Sequence, residues 1–217
     1  MPEKRRIVTL CSAEIVDYAT LQRRKAAEAR KLAESLRRTL VDLLDRYGGE
    51  RLESQPAGTL CAFPDPVNAA SCALELQRVV QGAPGLPLRI ALHEGELIVL
   101  EDDILGEGVA ILRELAALPP AGAVLLSGSV YEQIRRMPRF DIVALGRLAG
   151  INIDRPVEVF ALANQGLTVP GSTILQPPTN RRSLSGGTLL AIIVMVLLMI
   201  AIGVYIARIF LTAEMPR

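Results

Sequence analysis

The sequence predicts an α/β domain followed by one transmembrane helix, and two observations lead there. Short β-branched runs alternate with stretches whose apolar residues recur every three or four positions, so strands and amphipathic helices take turns along the chain. The residues that raise the mean hydropathy to +0.33 are, in contrast, gathered near one end. No charged residue occurs between positions 183 and 207, and residues 188–207 are nearly all Leu, Ile, Val, Met and Ala. A bilayer core is crossed by about 20 apolar residues in a helix. Apolarity on every face distinguishes such a segment from a core helix, which keeps a polar side.

The domain reads element by element. Residues 6–12 (RIVTLCS) form a first strand. Residues 19–47 form a long helix, with Ala29, Leu32, Leu36, Leu40 and Leu43 in one buried stripe. Its other face is dense in Arg, Lys and Glu and reads as solvated. Gly48-Gly49 ends it, as glycine does just past a helix C-terminus. Residues 50–55 and 59–63 make a hairpin around Pro56-Ala57-Gly58. Asp65 caps a second helix that opens on Pro66. Strands follow at 86–92 and 96–100, a helix at 106–118, a strand at 123–127 and a short helix at 130–136. Strands at 140–145 and 157–162 close the sheet. The order is β-α-β-β-α-β with additions, a ferredoxin-like (split βαβ) sandwich. Residues 1–165 are therefore the domain. Residues 166–187, rich in Pro, Gly and Ser, read as a linker without packed elements. Residues 188–208 are the transmembrane helix, and 209–217 a short extracytoplasmic tail.

The charged first 25 residues carry no signal-peptide pattern, which predicts a cell-membrane protein with its domain in the cytoplasm. Cys11, Cys61 and Cys72 sit in apolar runs and read as small core residues in a reducing compartment. With His93 the one histidine and no CxxC pair, a metal site of the zinc type is not expected. His93, beside Glu94 and Glu96, reads as a satisfied structural histidine at a strand end. A net charge of +1 and 4% aromatic residues argue against nucleic acid as a partner.

Five segments, in order, resemble the class III adenylate/guanylate cyclase catalytic domain: SAEIVDY, YGGERLES with GTLCAFPDPVNAASCALELQ, RIALHEGELIV, DDILGEGVAILREL and NIDRPVEVFAL. The resemblance implies a head-to-tail dimer with nucleotide sites at its interface, where a 3′-hydroxyl attacks the α-phosphate and pyrophosphate leaves. It also implies two divalent cations on two carboxylates, which activate the hydroxyl and neutralise charge. Position by position, Glu14 matches the first metal Asp and Ala57 the second. Asp17 matches the Gly of the phosphate loop. Glu53 matches the base-reading Lys, and Asp103 the base-reading Asp, which it keeps. Ala110 matches the ribose-orienting Asn and Glu114 the transition-state Arg. Two cations are thereby replaced by anions, so no confident catalytic residue remains.

The expected function is a membrane-anchored cyclase-like protein, catalytically silent, that dimerises or regulates in signalling. It would pair with itself or with another cyclase-like domain, contact the bilayer through its C-terminal helix, and need no cofactor. The alternative is an active nucleotidyl cyclase with a rebuilt site, in which Glu14, Asp17, Glu53 and Asp103 gather Mg²⁺ or Mn²⁺.

Overall fold

A computed structural model describes residues 4–82, 86–100, 103–149 and 155–175. The segment 188–208 and the tail 209–217 lie outside the described residues. Among the described residues, no helix is long and apolar enough to cross a membrane.

The strands are β1 (Lys4–Ile15), β2 (Glu50–Gln55), β3 (Gly58–Phe63), β4 (Leu88–Leu100), β5 (Asp103–Leu105), β6 (Val124–Ser127), β7 (Ile142–Leu148) and β8 (Val157–Leu162). The helices are α1 (Tyr18–Arg24), α2 (Ala26–Tyr47), α3 (Pro66–Gly82), α4 (Glu107–Ala116) and α5 (Gly128–Ile134). One sheet runs β2-β3-β1-β4-β6-β8-β7, with β5 folded back on β4. All pairings are antiparallel except β4 with β6.

Alternation along the strands divides the core into two layers. Cys11, Ala13 and Ile15 of β1 face a layer shared with α2, α3 and α5. Val8 and Leu10 face the other, against Val109, Leu112 and Leu115 of α4. Both faces of β1 are therefore buried from Val8 to Ala13, a stretch without a charged residue.

Three elements differ from the sequence reading. The long helix is broken at Lys25, whose backbone (φ −146°, ψ 65°) separates α1 from α2; α1 turns so that Tyr18 is buried. The two strands expected at 86–92 and 96–100 are one strand, β4. Gly95 lies within it, and its missing side chain lets α4 approach: a Cβ there would sit 2.8 Å from the Cα of Gly108. His93 consequently lies inside the strand and not at its end. It is buried, and its Nδ1 has no hydrogen-bond partner among the described residues, which corrects the reading of it as satisfied.

The first part of the expected linker is also packed. Thr168 N–H donates to the Gly122 carbonyl (3.0 Å). Gln81 donates to the Gly166 carbonyl. A 3-10 turn at Ser172–Leu175 follows, and Ile174 and Leu175 rest on the α4-side core. Two other expectations match the structure: Gly48 closes α2 in the left-handed region (φ 65°), and Asp65 Oδ1 accepts from Asn68 N–H at 2.8 Å.

Candidate functional site

A cleft of about 150 Å³ opens beside the C-terminal end of β1, between the β2–β3 hairpin and α4. It brings Glu14, Glu53 and Ala57 together, with Ser12, Gln55 and Arg113 also on its walls. Each arrives for a simple reason. Ser12 and Glu14 are two apart on β1 and point to the α4 side. Ala57 is held against β1 by its carbonyl, which accepts from Ile15 N–H at 2.7 Å. Glu53 and Gln55 share a face of β2 next to it. Asp103, Ala110 and Glu114 are not on these walls: Asp103 is exposed on β5, and Ala110 and Glu114 are half-buried on α4.

Both oxygens of the Glu14 carboxylate are engaged. Its Oε2 accepts from Arg89 Nη2 (2.8 Å) and Nε (3.2 Å). Its Oε1 accepts from Ser12 Oγ at 2.9 Å. Arg89 is the direct cross-strand partner of Glu14 in the β1–β4 ladder, and its Nη1 also donates to the Ala117 carbonyl at 3.2 Å. With side chains only 25% and 33% exposed, the pair is partly shielded from water and held at three points. Ala57 offers no side-chain oxygen beside it.

Glu53 is engaged too. Gln55 donates to its Oε1 at 2.6 Å, and Arg113 Nη2 lies 3.9 Å from its Oε2. That second contact is long and more than half exposed on the arginine side, so it contributes little to stability. Its interest is positional, because Arg113 brings a cation to the cleft one residue before Glu114.

Asp17 occupies the first turn after β1 with φ 56° and ψ 23°, the one described non-glycine residue with positive φ. Its carbonyl accepts from Thr20 and Leu21 N–H, both at 3.0 Å; its side chain makes no cap. A left-handed backbone costs an ordinary residue about 1 kcal/mol, somewhat less for Asp. Asp17→Gly is therefore expected to stabilise the domain by up to about 1 kcal/mol, a rise in Tm of about 2–4 °C. An unchanged or lower Tm would mean that the carboxylate compensates for the strain.

Arg89 and Arg113 were not singled out by sequence. Arg89 becomes visible only once the β1–β4 register is known. Arg113 is found by walking one residue back from Glu114.

Comparison with known proteins bears on the fold. The fold matches a crystal structure of an adenylate/guanylate cyclase/hydrolase from Silicibacter pomeroyi with a TM-score of 0.67 and 25% identity, covering 74% of this chain and 98% of that one. It matches the adenylyl cyclase CyaB from P. aeruginosa with a TM-score of 0.65 and 19% identity, over 77% and 100% of the two chains. In sequence, the chain is 27% identical over 165 residues to a Rhizobium meliloti protein named "Putative adenylate cyclase 3", covering 72% of this chain and 28% of that one. It is 29% identical over 161 residues to an uncharacterized protein of Mycobacterium tuberculosis, covering 72% of this chain and 56% of the relative. No protein-family model matches. The chain carries a class III adenylate/guanylate cyclase-like domain.

Proposed function

We propose that this is a membrane-anchored cyclase-like protein whose domain is catalytically silent and serves as a dimerising or regulatory module in signalling. The observation that carries the reading is the Glu14–Arg89 ion pair with Ala57 beside it. Two-metal cyclisation needs carboxylate oxygens free to hold both cations. Here the one carboxylate is held by a guanidinium and a hydroxyl, and the second position has none. Among the described residues, no three of His, Cys, Asp and Glu are grouped to hold a metal. This donor set does not fit a pair of divalent cations, and no catalytic step is assigned to one.

Charge supports the same reading. By the resemblance, Asp17, Glu53 and Glu114 stand at positions where a cyclase meets its nucleotide, although of the three only Glu53 lines this cleft. At contact range and an effective dielectric near 20, each unlike or like pair amounts to about 4 kcal/mol before solvation. Replacing attraction by repulsion at two positions exceeds what other contacts of a small ligand readily offset. The apolar run 188–207 supports the anchor, and pairing with itself or with a second cyclase-like domain follows from the interface at which such sites are built.

The test is direct. Purified full-length protein, shown to be folded, is expected to form no cyclic product from ATP, GTP, CTP or UTP with Mg²⁺ or Mn²⁺, read by mass spectrometry. A clear product would overturn silence. One observation favours the second reading, an active cyclase with a rebuilt site: Arg113 supplies a cation at the cleft wall. In that case Arg113→Ala and Glu14→Ala should each abolish the product.

A further inference from the structure

The helices α1 and α2 carry a segregated positive charge that neither the fold nor the cleft uses. Residues 18–38 contain seven of the chain's 24 Lys and Arg but only two of its 23 Asp and Glu, so the rest of the chain is net negative. All seven cations (Arg23, Arg24, Lys25, Arg30, Lys31, Arg37 and Arg38) are exposed. Glu28 and Glu34 between them pair only with Lys25, Arg37 and Arg38. Arg30 reaches no acceptor but the Ala26 carbonyl of its own helix at 3.4 Å. Arg23 reaches Thr20 at 3.3 Å. Arg24 and Lys31 meet no side-chain acceptor among the described residues. Helix periodicity places Arg30, Lys31 and Arg38 on the side of α2 away from Ala29, Leu36 and Leu40, which are buried, with Glu34 among them and Arg37 on the flank. Farther along the same helix the exposed charges are Asp42, Asp45 and Arg46, the last paired with Glu75. The signs are interspersed along α2 itself; what sets this region apart is its balance, seven cations to two anions over residues 18–38.

We propose that the exposed face of α1 and the first half of α2 docks on an anionic lipid surface. The inference rests on the anchoring reading above in one respect: a span at 188–207 would keep the domain beside a bilayer, where weak attraction is enough. Clusters of four to eight Lys or Arg on a helix are the size that recognises anionic headgroups, each cation strengthening attachment about fivefold. A nucleic acid fits less well. The aromatic residues of these helices are Tyr18, which is buried, and Tyr47 at the far end, which leaves no platform for base stacking.

The experiment uses the full chain in nanodiscs, labelled with a fluorophore at Ser35→Cys, an exposed position between Lys31 and Arg38. The three native thiols do not compete: all are buried, and burial pushes Cys61 and Cys72 up to about 12 and Cys11 well above its ordinary value. Energy transfer to headgroup-labelled lipid reports docking. Expected is strong transfer on phosphatidylcholine/phosphatidylglycerol discs, weak transfer on phosphatidylcholine alone, and loss of the difference in high salt. Arg24→Gln, Arg30→Gln and Lys31→Gln together should weaken docking about a hundredfold at unchanged Tm. Equal transfer on both discs, or an unaffected triple variant, overturns the proposal. So does a DNA duplex that binds the lipid-free chain through these residues more tightly than anionic vesicles do. The anchor is read separately, by alkaline extraction from phosphatidylcholine vesicles. Release there removes the anchor alone, and capture of the released chain by anionic vesicles then upholds the docking face.

Discussion

Replacing Ala57 with Asp and Arg89 with Gln in the same chain is expected to create a manganese site. The first substitution restores an oxygen ligand at the hairpin, where the Ala57 carbonyl already fixes the backbone 2.7 Å from Ile15 N. The second frees Glu14 from a guanidinium that donates two hydrogen bonds to it. Ser12, already 2.9 Å from Glu14, remains to complete the oxygen set. A cation that binds only the folded state at a hundred times its Kd stabilises by about 2.7 kcal/mol. At about 2–4 °C per kcal/mol for a domain of this size, the melting temperature should rise by about 5–10 °C on adding Mn²⁺. The native chain should show no such rise, and Arg89→Gln alone only a small one. A double variant that melts at the same temperature with and without Mn²⁺ would mean that these two side chains are not what keeps cations out.

Acid should destabilise the domain through one imidazole. Burial in β4 lowers the His93 pKa from 6.5 to about 4, with no acceptor for its Nδ1. Because the folded value is depressed, the unfolded chain binds the proton more readily between those two pH values. The stability contributed by a neutral His93 is complete above about pH 6.5 and is lost as pH falls toward 4. A shift of that size corresponds to about 3 kcal/mol in all. Urea unfolding across this window should therefore show a steeper loss for the native chain than for His93→Gln. Parallel curves for the two would show that some other group governs acid stability.

Much of this was legible in the sequence, and the exceptions share a cause. The amphipathic stripe of α2, its Gly48 stop and the Asp65 cap depend on residues within one or two turns of each other, and local chemistry decides them. The break at Lys25 does not: nothing in LQRRKAAEA disfavours helix, and the chain bends there because Tyr18 has a place in the core. Gly95 lies in the gap between the strands that the sequence suggests at 86–92 and 96–100. Its real role, admitting α4 against β4 at Gly108, belongs to a contact between elements far apart in sequence. The site divides in the same way. Segment order was enough to bring Glu14, Glu53 and Ala57 to one cleft. That Glu14 is spoken for by Arg89 is a fact of strand register, and it required the folded sheet.

The packed segment after β8 alters where the domain can be cut. Severing the chain at residue 165 would strip the Gly122 carbonyl of its partner Thr168 and leave the seat of Ile174 and Leu175 bare. The exposed apolar surface would lie along β7, the last strand of the sheet, whose outer edge has no neighbouring strand among the described residues. Bare edges of that kind recruit other chains. A shortened domain would then self-associate for reasons unrelated to its biology, and an oligomer seen with it would be an artefact of the scissors. Carrying the fragment through Leu175 keeps that flank closed.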